Sequence, residues 1–149
     1  MHLPHLRPFV DHPLVFVTCC TLSRRDVLAC EDARVILRDL WQESASRNGW
    51  YVGRYMIMMD HVHFFACPTK DAISLARWMA TWKSLAARRL SRMTLNGKLW
   101  QEGYFDRFLR TADSYSEKWE YVRMNPVRKG LVADPDDWPY QGVINDLRF

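Results

Sequence analysis

Stretches rich in β-branched and aromatic residues alternate along this chain with stretches whose apolar positions recur at helical spacing. The apolar run 14–21 predicts a first, well-buried strand. A helix is predicted from a cap at Asp32 to about Arg47, and Asn48-Gly49 ends it in the way a left-handed C-cap does. The residues predicted to form its buried stripe are Val35, Ile36, Leu40 and Trp41.

The middle of the chain predicts a hairpin and a second helix. Residues 50–58 and 60–68 are predicted to be two strands joined by a tight turn. The next helix is predicted from Asp71 to about Arg92, because its apolar members keep helical spacing. The chain thus continues the pattern strand, helix, strand, strand, helix.

The last third of the chain predicts one further helix. Residues 100–110 are expected to form a short irregular or extended segment, and a helix then runs from a cap at Asp113 to Asn125, where Pro126 disfavours helical geometry. The whole pattern predicts an α+β fold, with helices packed on an antiparallel-rich sheet. The first strand–helix–strand passage is also expected to bring its two strands side by side in parallel, as in ferredoxin-like folds.

Length and composition indicate a single globular domain over residues 1–149, with residues 1–13 as an extended N-terminal arm. Hydrophobic residues make up 48% of the chain and charged residues 26%, which is typical of a soluble protein. The net charge of +4 tilts the chain mildly towards a nucleic-acid partner. Its four cysteines include no CxxC pair, and no apolar run approaches membrane-spanning length. A cytoplasmic protein with reduced thiols and no membrane association is therefore expected.

Two histidines one residue apart, His61 and His63, lie in the third predicted strand. Strand side chains alternate, so both imidazoles should project from one face of the sheet and Val62 from the other. Such a pair can ligate one divalent cation if a third group completes the set. The alternative is two ordinary strand histidines bonded to their neighbours, and the motif by itself leaves both interpretations open.

The third group is sought on the last predicted helix, where Tyr115, Trp119 and Val122 form the inward stripe. Tyr121 lies roughly 120° from Tyr115 around the helix, and Asn125 follows one turn later on the same shoulder. If that shoulder faces the histidines, the site holds two imidazoles, an amide oxygen and a phenol. This donor set suits Mg²⁺ or Mn²⁺. The alternative for Tyr121 is a tyrosine at an ordinary packing interface.

A site of this kind suits phosphoryl transfer, with a cation polarising a phosphodiester oxygen and Tyr121 attacking phosphorus to expel a 3′ hydroxyl. A phenol is a weak nucleophile at neutral pH unless nearby cations favour its ionised form. The candidate cations are Lys118, Arg123 and Arg128. The open alternative is a metal hydrolase in which Asp60 or Asp106 activates water.

At these positions the sequence resembles a known family. His61-Val62-His63 matches the His-hydrophobic-His signature of the HUH single-tyrosine nucleases, and segment 121–132 resembles the tyrosine helix of the REP-associated tyrosine transposases, relatives of the IS200-type transposases. The resemblance covers about residues 14–140. Further segments that fall where the family has similar residues are Trp100-Gln101, Phe105-Asp106-Arg107 with Arg110, and Trp138-Pro139-Tyr140.

The resemblance implies the HUH nuclease fold, with His61, His63 and Asn125 as ligands of Mg²⁺ or Mn²⁺. It implies that Tyr121 forms a 5′-phosphotyrosine, and that single-stranded DNA is cut and rejoined at palindromic repeats that fold into hairpins. No small-molecule cofactor is expected, and a homodimer is left open. The alternative is a relative that binds hairpin DNA without catalysis.

Basic and aromatic residues supply the expected DNA contacts. The second predicted helix carries a basic face with almost no acidic residues of its own, although a solvated helix face is the alternative explanation. Clustered Lys and Arg residues follow the phosphate backbone, and aromatic residues stack on unpaired bases. The candidate DNA-contacting residues are Arg77, Lys83, Arg88, Arg89, Arg92, Trp100, Tyr104, Arg107, Arg110 and Arg128.

Overall fold

The computed structural model of the protein describes residues 14–148, so the predicted N-terminal arm lies outside the described residues. Five strands of this region form one sheet in the order β4-β1-β3-β2-β5. All neighbouring strands pair antiparallel. The strands are β1 (Leu14–Cys20), β2 (Trp50–Ile57), β3 (His61–Pro68), β4 (Phe105–Leu109) and β5 (Gln141–Val143).

The helices pack on both faces of this sheet. They are α1 (Glu31–Asn48), α2 (Leu75–Arg89), α3 (Ala112–Arg123) and α4 (Asn125–Arg128). Helices α1 and α2 bury their apolar sides against one face of the sheet, which we call the first core. Helix α3 packs on the opposite face, which we call the second core. Within the described residues, no helix combines the length and the apolar character that a membrane span requires.

The predicted α+β class and antiparallel sheet are confirmed, and the strand order β4-β1-β3-β2 is that of a ferredoxin-like fold. The expectation that β1 and β2 lie side by side in parallel is wrong. Strand β3 turns back from β2 and lies between them, bonded to β1 on one side and β2 on the other. The two strands therefore run in the same direction without sharing a hydrogen bond.

The first core explains the heavy aromatic content of the chain. The ring of Phe64 on β3 lies 5.3 Å from that of Trp41 and 5.4 Å from that of Trp82. Trp41 and Trp82 stack on each other at 5.7 Å, and Trp50 stacks on Trp78 at 4.9 Å. These rings join α1, α2 and the sheet into one apolar layer, whose burial supplies much of the driving force for folding.

A bulge in β2 changes which of its side chains face each of the two cores. The register of β2 against β3 shifts between Val52 and Tyr55, so both of these side chains reach the first core although they are three residues apart. On the other face, the guanidinium of Arg54 lies 4.9 Å from the ring of Trp119 on α3. The bulge therefore helps to hold α3 against β2.

The predicted helix caps were wrong. The structure caps α1 at Cys30 and α3 at Thr111, in place of Asp32 and Asp113, and α2 begins at Leu75 after a cap at Ser74, beyond its predicted start at Asp71. Thr111 and Ser114 form a capping box. Asp32 and Asp113 lie in the first turns of their helices, where a negative charge favours the helix dipole without capping it.

The end of the third helix also differs from the expectation. Helix α3 ends at Arg123, and Asn125 begins the separate short helix α4. Pro126 lies in the first turn of α4, where its missing N–H would have no helical partner in any case. Helix α3 therefore ends two residues earlier than predicted, and Met124 separates it from α4.

The buried stripe of α1 was predicted only in part. Leu40 and Trp41 are buried as expected, but Val35 is 41% exposed and Leu37, which the prediction missed, is fully buried. The predicted stripe of α3 is confirmed, since its three members pack in the second core.

Leu37→Ala is expected to lower the free energy of unfolding by about 2–5 kcal/mol, because the substitution opens a cavity in the first core. Val35→Ala, two residues away on the same helix, should change it by less than about 0.5 kcal/mol. Chemical denaturation of both variants beside the wild type provides the measurement. Equal losses for the two variants would contradict the orientation of α1.

Candidate active site

The two histidines lie at the start of the central strand β3. His61 and His63 project from the face that carries Phe65 and the second core, whereas Val62 and Phe64 belong to the first core, as the two-residue period predicts. The imidazole centroids are 4.7 Å apart, with the rings at 76° to each other. The side chain of His61 is 12% exposed, so the pair borders solvent. We call this side of the sheet the histidine face.

Hydrogen bonds at Nδ1 orient both imidazoles. His61 Nδ1 donates to Asp60 Oδ1 at 2.7 Å, and His63 Nδ1 lies 2.8 Å from the hydroxyl of Thr18 on β1. Asp60 is held in turn by Arg24, whose Nε donates to Oδ2 at 2.7 Å. With Nδ1 engaged in each ring, Nε2 is the atom that can bind a metal, which is the arrangement found around histidine ligands.

Burial and nearby cations keep the imidazoles neutral. Burial lowers the pKa of His63 to about 3, and the charges of His61, Lys118 and Arg128 act in the same direction. Burial also lowers the pKa of His61, although the hydrogen bond to Asp60 opposes that effect. Burial tends to raise the pKa of Asp60, but its bonds to His61 and Arg24 hold it below its usual value. Neutral imidazoles are the form that ligates metal.

Helix α3 reaches the edge of this pair. The ring of Phe16 on β1 stacks on His63 at 5.1 Å, and the ammonium of Lys118 lies 5.2 Å from the centre of the Phe16 ring. One turn before Lys118, Tyr115 packs edge-on against Phe65 at 4.8 Å. Helix α3 therefore covers the part of the sheet next to the histidines and leaves the histidine end itself open.

Tyr121 lies near the C-terminal end of α3 and is 63% exposed. The guanidinium of Arg128 lies over its ring, 4.0 Å from the centroid. The same guanidinium donates a hydrogen bond to the amide oxygen of Asn125. Because the charge of Arg128 also acts on His63, this arginine connects the predicted nucleophile, the predicted third ligand and the histidine pair.

The three cations predicted to assist the phenol have different roles. Arg128 contacts the ring of Tyr121, and Lys118 lies beside the histidine pair. Arg123 pairs with Glu120 at 3.5 Å and with Asp136 at 3.2 Å. These two carboxylates neutralise Arg123, which leaves Arg128 as the cation in contact with the phenol.

The two imidazoles are the only strong metal ligands that the described residues bring to this site. Within residues 14–148, no third histidine, cysteine or carboxylate joins the pair in a possible metal cluster. A cation here would depend on the two neutral imidazoles and on uncharged oxygen donors such as the amide of Asn125. Two nitrogens with one amide oxygen and water or phosphate oxygens fit Mn²⁺ or Mg²⁺.

Asp60 and Asp106, the two carboxylates considered for activating water in a hydrolase, are not placed for that role. Asp106 pairs in register with Val17, a member of the first core, so its side chain projects from the face opposite the histidines. Both carboxylate oxygens of Asp60 are engaged, one by His61 and the other by Arg24. Neither side chain is therefore a free general base beside the histidine pair.

The basic residues of α2 lie on the other side of the sheet from the histidines. Helix α2 carries no acidic residue of its own, as expected, but α1 supplies carboxylates to two of these cations. Arg89 forms two bonds to Glu43, at 3.2 and 3.0 Å, and Arg92, just beyond α2, pairs with Asp32 at 2.5 Å. Lys83 donates to two backbone carbonyls in the segment before β4, at 2.7 and 2.6 Å. Arg77, Arg88 and Arg89 are all exposed, and of these three only Arg89 pairs with a carboxylate of residues 14–148.

The predicted DNA-contacting residues in segment 100–110 differ in their exposure. Trp100 is 8% exposed and packs on Trp82 at 5.4 Å, so its ring belongs to the first core and presents little surface on which a DNA base could stack. Tyr104 is half-buried against the first core. Arg107 is exposed and lies on the histidine face, because it pairs in register with Phe16. Arg110 is exposed just beyond β4.

Comparison with known proteins identifies the family. The family model described as "Transposase IS200 like" matches residues 12–125, a span that contains His61, His63, Tyr121 and Asn125. The chain belongs to the IS200-like transposase family. The predicted resemblance is confirmed by this match and by the relatives that follow.

Two curated relatives of this family member are REP-associated tyrosine transposases. One, from Escherichia coli strain K12, is 24% identical over 98 residues, which cover 64% of this chain and 56% of the relative. A protein assigned the same description in Haemophilus influenzae is 24% identical over 102 residues, which cover 62% of this chain and 58% of the relative. The matched region thus spans just over half the length of these curated relatives.

Solved structures agree with the fold of this family member. A REP-associated tyrosine transposase bound to a REP hairpin superposes with a TM-score of 0.74 at 19% identity, covering 87% of this chain and 75% of the other. A crystal structure from Deinococcus radiodurans, described as a transposase, gives a TM-score of 0.59 at 20% identity over 80% of this chain and 95% of the other. At these identities the similarity supports the shared fold, and the predicted fold class is confirmed.

The buried His63 is expected to make the metal-free protein less stable as the pH falls from about 6.5 towards 3. An unfolded histidine takes up a proton near pH 6.5, whereas burial holds the pKa of folded His63 at about 3, so acid favours the unfolded chain across this window. Between pH 7 and 4, the wild type should lose on the order of a few kcal/mol more unfolding free energy than His63→Gln.

Urea denaturation of both proteins in the presence of a chelator, at a series of pH values, measures this difference. Both proteins contain the same carboxylates, so the contribution of these groups to the pH dependence of the unfolding free energy cancels in the comparison. Parallel pH profiles for the wild type and His63→Gln would contradict a neutral, buried His63.

Proposed function

We propose that this protein is a metal-dependent single-strand DNA endonuclease and strand transferase that acts at hairpin-forming palindromic repeats. The observation that carries the proposal is that Arg128 contacts both Tyr121 and Asn125 and acts electrostatically on His63. We infer that the nucleophile, the polar third donor and the pair of oriented imidazoles act together at this end of the sheet. Membership of a transposase family supports the same chemistry, and one structural relative is bound to a REP hairpin.

His61 and His63 would hold Mg²⁺ or Mn²⁺ through their Nε2 atoms, and the amide oxygen of Asn125 would provide a third ligand. That oxygen has two lone pairs, so the hydrogen bond from Arg128 leaves one for a metal. When bound, the cation would supply the positive charge that polarises a non-bridging phosphate oxygen. Asp60 and Thr18 would keep each imidazole in its ligating tautomer.

The residues of the chain account for the covalent step. Tyr121 Oη loses its proton to solvent and attacks phosphorus, so that the bond from Oη to phosphorus forms as the bond to O3′ breaks. The departing O3′ takes up a proton, and the 5′ phosphate remains on the tyrosine. Attack by a 3′ hydroxyl reverses the step and rejoins DNA without an external energy source. Arg128, over the ring of Tyr121, would attract the incoming phosphate to the attacking phenol.

The charge distribution around the histidines favours a phosphodiester. The cations whose fields act on the two imidazoles are Arg24, Lys118, Arg128 and Lys129. The same cations that disfavour a protonated imidazole also attract a phosphate, and because they are largely exposed this attraction is strongest at low ionic strength. Homodimer assembly and a cytoplasmic location stay predictions.

Tyr121→Phe is expected to abolish the covalent protein–DNA adduct, because the variant keeps the ring and loses the attacking oxygen. The wild type, incubated with a labelled hairpin oligonucleotide and Mn²⁺, should give an adduct that survives denaturing electrophoresis. Tyr115→Phe, on the same helix but packed against Phe65, is the matched control and should retain the adduct.

Other results would select other functions. An adduct that persists in Tyr121→Phe would overturn the nucleophile assignment. Cleavage without any adduct would indicate a hydrolase, and hairpin binding without cleavage under any divalent metal would indicate a protein that only binds DNA.

Asp60→Ala is expected to weaken Mn²⁺ binding by roughly 10- to 100-fold, because His61 loses the acceptor that fixes its ring and its tautomer. Calorimetric titration of the DNA-free protein measures this affinity independently of catalysis. Asp113→Ala removes an exposed carboxylate from the first turn of α3 and serves as the control for loss of one negative charge. Equal Mn²⁺ affinity in the two variants would show that Asp60 does not orient a metal ligand.

A further inference from the structure

An exposed phenylalanine lies on the histidine face, at the edge strand of the sheet. Phe105 on β4 pairs in register with Thr18 on β1, which in turn pairs with His63 on β3. The three residues form one row across the sheet and share a face. Phe105 is 69% exposed, a high value for a large apolar side chain beside a candidate active site.

Partly exposed side chains lie between Phe105 and the histidines. Thr18 and Cys20, which lie between β4 and the histidine pair, keep part of their surface exposed, as do His61 and His63. Helix α3 packs further along the strands, over Phe65 in the second core. The strip between the histidines and Phe105 therefore borders solvent, and a ligand that spans the two would follow the sheet surface.

Cations border the strip of sheet surface between Phe105 and the histidine pair. Arg107, two residues from Phe105 and on the same face, is exposed and pairs with no carboxylate of residues 14–148. Its register partner Phe16 carries Lys118 over its ring. An exposed aromatic ring flanked by unneutralised cations complements a strand of unpaired nucleotides, which presents flat bases and anionic phosphates together.

We propose that Phe105 is a stacking platform for an unpaired base of the DNA substrate, and that Arg107 and Lys118 bind the adjoining backbone. The inference rests on the proposed function and names a base-binding position within it. Two strand spacings, about 10 Å, separate the backbones of Phe105 and His63. The base on Phe105 and the phosphate at the histidines thus belong to one short stretch of strand. Stacking tolerates any base, so Phe105 contributes affinity more than sequence preference.

The same strand offers a matched control. Phe108 is 50% exposed, but it pairs in register with Val15 of the first core and projects from the face opposite the histidines. Phe105→Ala and Phe108→Ala remove the same exposed ring from the same edge strand. Only the first removes it from the histidine face.

The test measures binding of a fluorescent hairpin with single-stranded flanks, at fixed salt concentration. Phe105→Ala should bind roughly 5- to 100-fold more weakly than the wild type, as the loss of one stacked base predicts, and Phe105→Trp should restore affinity. Phe108→Ala should bind as the wild type does. Replacing flank nucleotides one at a time by abasic sites should reveal a position that weakens the wild type but has no further effect on Phe105→Ala.

The outcomes separate this inference from the proposed function. Equal affinities of Phe105→Ala and Phe108→Ala would overturn the stacking role, even where the wild type forms its Tyr121 adduct. A missing wild-type adduct would overturn the proposed chemistry, while the affinity comparison would still decide the role of Phe105. If sedimentation showed that Phe105→Ala dissociates a dimer with unchanged DNA affinity, Phe105 would contact a second copy of the chain and the inference would be wrong.

Discussion

The hydrogen bonds at Nδ1 of the two histidines determine what this end of the sheet can do. Asp60 and Thr18 engage that atom in His61 and His63, so the opposite nitrogen of each ring is the one that remains available to bind a metal. Burial would otherwise leave two poorly solvated imidazoles with no defined tautomer. Arg24 in turn binds Asp60, and the backbone of Arg24 lies in the left-handed region, with φ of 53°. A backbone conformation that is unfavourable for a non-glycine residue is retained where it holds the carboxylate that orients His61.

The features that the sequence predicted correctly are those that depend on local periodicity. Once residues 61–68 are assigned to a strand, the two-residue period places His61 and His63 together whatever the partners of that strand are. The helical period likewise places Tyr115, Trp119 and Val122 in the second core and leaves Tyr121 exposed. These parts of the fold and of the candidate site follow from the residues of one element, so no knowledge of the tertiary structure was needed.

The features that the sequence did not predict depend on contacts between distant elements. Glu43 of α1 neutralises Arg89 of α2 only because the two helices pack side by side, and no pattern within α2 records that neighbour. Trp100 has an aromatic ring of the kind that stacks on bases, but this ring packs against Trp82 in the first core. Phe105 was overlooked as a candidate because residues 100–110 were predicted only as an irregular or extended segment, with no side chains assigned to either face. Its alternation with Arg107 along β4 is the signal that could have revealed it.

Arg128 shows why the site behaves as a unit although its parts come from separate elements. Its guanidinium lies over Tyr121, bonds to Asn125 and lowers the pKa of His63 through its charge, and no carboxylate of residues 14–148 pairs with it. Arg123, at the end of α3, differs because two carboxylates already neutralise it. A cation that contacts only uncharged groups keeps its charge available for an anion, whereas a cation paired with carboxylates does not. A phosphate that enters beside the histidines therefore meets Arg128 already in contact with the phenol that would attack it.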